Sequence, residues 1–140
     1  MIETVEGNRM KVPFVCLALV LLLPNLLASY GAYYRKKSLG VVDNDNPRAQ
    51  AAQLDAFGAR IYASQQNAWE AATLFSASLL AAKVAGVSVN HMIVPSMLFL
   101  AFRILHPIAY IRGWSDMRST ASTAGLVCCA WLLVGAAIAA

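Results

Sequence analysis

Arg60, Asn67 and Glu70 stand at i, i+7 and i+10 in a stretch that turns apolar and stays so to about residue 82. At 100° per residue the three fall within about 80° of one another on a helix, a single polar stripe on an apolar cylinder. A carboxylate deep in a bilayer costs roughly 2.5–3.5 kcal/mol on insertion scales, so it must face protein or water and marks a functional position. Arg103, His106 and Tyr110, at i, i+3 and i+7 in a later apolar stretch, form a second stripe on one face. Arg103 is the natural cationic partner for Glu70. One reading is a pair of buried ion pairs that only lock two helices together. The other is a polar ligand site between helices, since six polar groups exceed what one structural pair needs.

The elements that must hold these stripes are membrane helices. Of 140 residues, 59% are hydrophobic and 13% charged, where a soluble domain would carry about 25% charge. That composition predicts an all-α integral membrane protein forming one domain over residues 1–140. The formal net charge is only +4, and no stretch interleaves basic and aromatic residues, which excludes a nucleic-acid partner. Cys16, Cys128 and Cys129 all lie in apolar segments with no CxxC or His/Cys ligand spacing, and His91 and His106 do not form a metal pair. A Gly-rich phosphate loop and a Ser/His/Asp spacing are absent as well.

Hydropathy and turn residues predict four transmembrane helices near 12–34, 47–83, 91–112 and 119–139. The first ends in Tyr30, Tyr33 and Tyr34, an interfacial belt ahead of Arg35, Lys36 and Lys37. A signal peptide is the competing reading of this segment. Pro24 before Asn25 predicts a kink in it. Asn46 before Pro47 reads as an N-cap followed by proline at the first helical position. Pro107 cannot donate to the carbonyl of Arg103, which frees an acceptor beside the polar stripe. The fourth segment is rich in small residues, among them Ala121 and Gly125, which let membrane helices approach closely. Arg35, Lys36, Lys37, Arg48, Arg112 and Arg118 fall on one side of the bilayer. Arg9, Lys11 and Lys83 fall on the other. The basic loops are therefore expected in the cytoplasm and both termini outside.

Asn67-Ala-Trp-Glu70 on the second helix and Arg103-Ile-Leu-His106-Pro-Ile-Ala-Tyr110 on the third, with an Arg-Ser pair opening the fourth, resemble the MAPEG superfamily. These are membrane-associated proteins in eicosanoid and glutathione metabolism. The resemblance covers roughly residues 12–137 and is to a bacterial inner-membrane member. It implies a homotrimer of four-helix subunits with glutathione as co-substrate, bound between neighbours near the cytoplasmic face. Carried over, Arg60, Asn67 and Glu70 would hold glutathione from the second helix, Glu70 through its α-amino group. Arg103, His106 and Tyr110 would line the same cavity. Arg118 and Ser119 would be catalytic, beside the thiol.

The implied activity is that of a glutathione transferase or peroxidase acting on a hydrophobic small molecule that enters from the bilayer. A fixed guanidinium about 4–6 Å from a thiol favours the nucleophilic thiolate, and a hydroxyl donor helps. Arginine stays charged regardless of burial. The structural alternative for this pair is a loop arginine followed by an N-cap serine. Ala63, Ser64, Gln65 and Gln66 stand where family members often carry Arg or His. Two other classes fit four short helices. One is a proton-coupled multidrug exporter, whose intramembrane glutamate usually lies in the first helix without such a partner set. The other is a non-catalytic lipid- or partner-binding protein on the same scaffold. Glutathione retention by the solubilised protein separates them.

Overall fold

The computed structural model describes the backbone from residue 2 to residue 140 and side chains from Lys11 onward; Arg9 therefore lies outside the described side chains. Five helices follow in order: α1 (Ile2–Leu39), α2 (Pro47–Ala51), α3 (Ala56–Val84), α4 (Val89–Arg112) and α5 (Ser115–Ala139). No strand occurs among the described residues. Lys11–Leu39 of α1, all of α4 and all of α5 are each long and apolar enough to cross a membrane. α3 has comparable length, 29 residues, but carries the polar stripe. α4 packs against α1, α3 and α5, and α3 also packs against α1 and α5.

The first helix is longer than expected and continues unbroken through Pro13 and Pro24. Beside Pro24, the Asn25 amide donates to the Leu21 carbonyl at 3.1 Å and the Ser29 hydroxyl to the Asn25 carbonyl at 3.0 Å. Polar groups in this apolar helix thus satisfy themselves along its own backbone, as a bilayer requires. Val20, Cys16 and Leu27 are buried, so α1 belongs to the core.

The expected single helix over 47–83 is instead two. α2 begins at Pro47, with Asn46 in the cap position but no side-chain cap bond. The chain then breaks at residues 52–55. Asp55 is the reason: its carboxylate accepts from the Gly58 N–H at 2.8 Å, an N-cap that starts α3 afresh. The Tyr34 hydroxyl donates to the same carboxylate at 3.0 Å, pinning the new start to α1. A Cβ at Gly58 would stand 2.6 Å from Leu54 Cβ, so only glycine allows so tight an entry.

The core is built where α3, α4 and α5 meet. Phe75 of α3 and Phe99 of α4 stack with centroids 4.2 Å apart and planes 8° from parallel. Leu79, Met92, Cys129 and Leu132 close the core around them. α4 ends at Gly113, whose φ of +76° suits glycine alone. The Gly113 N–H donates to the Tyr110 carbonyl and the Trp114 N–H to that of Ala109, at 3.1 and 2.9 Å. This closure delivers the chain directly into α5 at Ser115, one turn before the expected start.

Candidate functional site

Small residues on the inner faces of α3 and α5, such as Ala68, Ala71 and Ala121, draw these helices close to α4. Into the remaining space α4 projects Arg103, which is only 5% exposed. Its Nη1 donates to Asn67 Oδ1 at 3.0 Å, and Nη2 reaches the Ser122 carbonyl at 3.4 Å. Its Nε is buried with no partner. The guanidinium carbon lies 5.3 Å from the centre of the Phe99 ring. Asn67, Glu70, Phe99, Arg103, Ser122 and Thr123 line a cleft of about 250 Å³ between the three helices.

The expected Glu70 to Arg103 ion pair does not form. Glu70 is exposed on the surface of the chain and accepts instead from Gln66 Nε2 at 3.2 Å. Asn67 and Glu70 are three residues apart, which places them at levels about 4.5 Å apart along α3. The guanidinium is held at the Asn67 level by its bond to the Asn67 amide oxygen. Among the described residues no carboxylate pairs with it. Gln66, Glu70 and Thr73 instead form an exposed polar strip along α3, with Glu70 at the rim of the cleft.

His106 and Tyr110 belong to a second group one to two turns further along α4. His106 is buried, and its ring meets Tyr110 edge-on at 5.6 Å between centroids. The Arg118 guanidinium, from the first turn of α5, lies 4.8 Å from the centre of the Tyr110 ring. Cation–π contact of this kind fixes the cation without neutralising it. Ser119 is exposed beside it. The N-cap position of α5 is Trp114, so Ser119 lies inside the helix and cannot cap it as expected. Asp116 occupies the first turn and already meets much of the positive end of that helix dipole.

Arg60 bonds to the side chains of neither group among the described residues. Its Nε donates to the Ile111 carbonyl at 3.1 Å, satisfying one of the open acceptors at the end of α4. It ties the start of α3 to the level of Tyr110 and Gly113.

Several contributors escaped the sequence reading. Arg35 is 5% exposed, and its Nη1 donates to the Pro47 carbonyl at 2.9 Å, where it had been taken as part of a basic loop. Gln50 accepts from the Asp43 N–H at 2.9 Å and donates to the Val41 carbonyl at 2.6 Å. Asp43 accepts from the backbone of Asn46 and Asp45, and the Asn46 N–H foremost holds its carboxyl below the usual range. Asp55 is lowered likewise, first by the Gly58 N–H and then by Tyr34. Ser122 and Thr123, which line the cleft, were not among the candidate residues either. A turn-forming Asp followed three residues later by Gly was the available signal at 55–58.

No curated relative and no solved structure matches the chain. The MAPEG family model matches residues 12–138, a span that holds α2, α3, α4 and both polar groups, and the chain belongs to the MAPEG family.

Proposed function

We propose that this chain binds glutathione and presents its thiolate to a hydrophobic electrophile, as a membrane transferase or peroxidase. One observation carries the proposal. The Arg103 guanidinium is buried with donor groups to spare and without a carboxylate partner among the described residues. Buried charge is stable only when paired. Glu70, on the same cleft, is a carboxylate without a cation. An amino-acid zwitterion supplies both missing halves: a carboxylate for Arg103 and an ammonium for Glu70, with Asn67 between them. Glutathione carries such an end, and the residues present fit it.

The exposed strip on α3 supports a trimer. A carboxylate facing hydrocarbon is costly, and neighbouring subunits would cover it and complete the glutathione site. In that setting α3 is the fourth membrane span. The basic connections, with Arg35, Arg48, Arg112 and Arg118, face the cytoplasm, and both termini lie outside.

The chemistry falls to the second group. Arg118, held on the Tyr110 ring, stabilises the charged form of a nearby thiol, and the Ser119 hydroxyl, freed from capping, is available to donate to sulfur. The thiol proton passes to water. The sulfur electron pair then forms the bond to the electrophilic carbon, and the leaving group departs with its bonding pair. His106 packs behind Tyr110 and fixes the ring that fixes the cation.

Calorimetric titration of the purified full-length protein tests the reading. Glu70→Ala should weaken glutathione binding at least about tenfold, the scale of one charge-assisted bond, while leaving thermal unfolding near wild type. Wild-type affinity in the variant would show that Glu70 does not touch the ligand.

A further inference from the structure

Two glycines of α5 behave differently. At Gly135 an added Cβ would meet the Val87 methyl groups at 3.7 Å, an ordinary contact. At Gly125 it would stand 2.9 Å from Arg103 Nη2, 3.2 Å from Nε and 3.5 Å from the guanidinium carbon. The first of these is closer than real Cβ atoms come. The atoms an added Cβ would meet are the free end of the Arg103 side chain, so it is the fork that must yield, toward the cleft it lines. The guanidinium also lies against the Phe99 ring, and that ring is fully buried and stacked on Phe75. Close-packed interiors do not absorb such a shift without moving something else. The cation therefore occupies a slot between a fixed aromatic pair and the bare backbone of α5. Its contact with the Ser122 carbonyl, one turn before Gly125, belongs to the same slot.

We propose that Gly125 is a positioning residue: its missing side chain sets where the Arg103 guanidinium lies, and so where the cleft presents positive charge to an anionic ligand group. The glutathione reading supplies only the identity of that ligand. The placement of the guanidinium rests on the packing alone. Alanine at 125 would displace the fork from Asn67 and Ser122 together. Lysine at 103 would relieve the conflict, because its compact ammonium has no planar fork to be pushed. Coupling between the two positions is therefore the signature, and it separates positioning from simple helix packing.

The test is a two-by-two set in the full-length protein: wild type, Gly125→Ala, Arg103→Lys and the double variant, with Gly135→Ala as control. Each is measured by glutathione titration and by thermal unfolding without ligand. Gly125→Ala should lose at least about tenfold in affinity, equivalent to breaking a charge-assisted bond. In the Arg103→Lys background the same change should cost less than about twofold, since additivity fails for residues in contact. Gly135→Ala should match wild type. Unchanged affinity in Gly125→Ala, or an equal loss in both backgrounds, overturns the proposal. If the wild type itself does not bind glutathione, the functional reading falls and the unfolding data decide this one. Destabilisation by Gly125→Ala that vanishes beside Arg103→Lys upholds the slot; equal destabilisation in both rejects it. Arg103→Met serves as the alternative background for the unfolding comparison if the lysine variant does not fold.

Discussion

Replacing Arg103 by methionine separates a ligand site from a structural cross-brace. The guanidinium makes one good charge-assisted bond, to Asn67 at 3.0 Å, contributing about 1.5–3 kcal/mol. The Ser122 contact at 3.4 Å is too long to add much. The Phe99 face adds about 0.5–2 kcal/mol. Against these, burying an unpaired cation costs several kcal/mol. The terms nearly cancel, so Arg103→Met, which keeps the length of the side chain, should change ligand-free stability by no more than about 2 kcal/mol in either direction. At roughly 3 °C per kcal/mol for a chain of this size, that is a shift within about 6 °C. Breaking a true buried ion pair would instead cost about 3–5 kcal/mol, a fall of roughly 10 °C or more. The assay is thermal unfolding in mild detergent with and without glutathione. Glutathione should raise the wild-type midpoint and leave the variant where it is. A ligand-free drop beyond about 3 kcal/mol, where the range expected of a broken buried pair begins, would refute the reasoning and make Arg103 a cross-brace.

In the bound complex, Arg118→Ala should raise the apparent thiol pKa by about one unit or more, read by ultraviolet thiolate absorbance against pH, whereas His106→Gln should change it little. Tyr110→Leu, which removes the ring under Arg118, should give a smaller rise of the same sign. Native mass spectrometry in mild detergent should show a trimer, and a species no larger than a dimer would count against a shared site. Asp43 and Asp55 have folded-state pKa values below the unfolded value of about 3.9. Their contribution is thus complete above that value and is lost as pH falls through the lower, folded one. Hydrogen exchange at the Gly58 amide should stay slow down to about pH 4 and speed up below it, and Asp55→Ala should give the fast rate already at neutral pH.

The helical class and three of the four expected apolar spans were legible in the sequence, as was which side chains share a helical face, because helical periodicity fixes it. What each stripe meets is a tertiary matter. Spacing put Asn67 and Glu70 on one side of α3, but it could not say that Arg103 would bond the Asn67 amide oxygen and leave Glu70 exposed. Arg60 shows the same limit: on its helix it belongs with Glu70, yet a carbonyl 51 residues away claims it. The break before α3 was visible in principle, since Asp55 and Gly58 are a local capping signal, but the polar run from 48 to 55 also suited an aqueous first turn. The last helix was expected to start at 119 and starts at Ser115, because the closure at Gly113 turns the chain into it within two residues.

The bond from Arg60 to the Ile111 carbonyl has a mechanical consequence. α3 and α4 are joined by only four residues, 85–88, at one end, and this bond fastens them at the other. The pair is a closed strut: sliding one helix past the other must break the fastening or stretch the short connection. α5 is tied to α4, by the short closure at Gly113 and Trp114 and by the long contact from Arg103 to the Ser122 carbonyl, and it meets α3 by packing. A ligand entering the cleft would therefore be accommodated by a tilt of α5 about the closure at 113–114 rather than by parting α3 from α4.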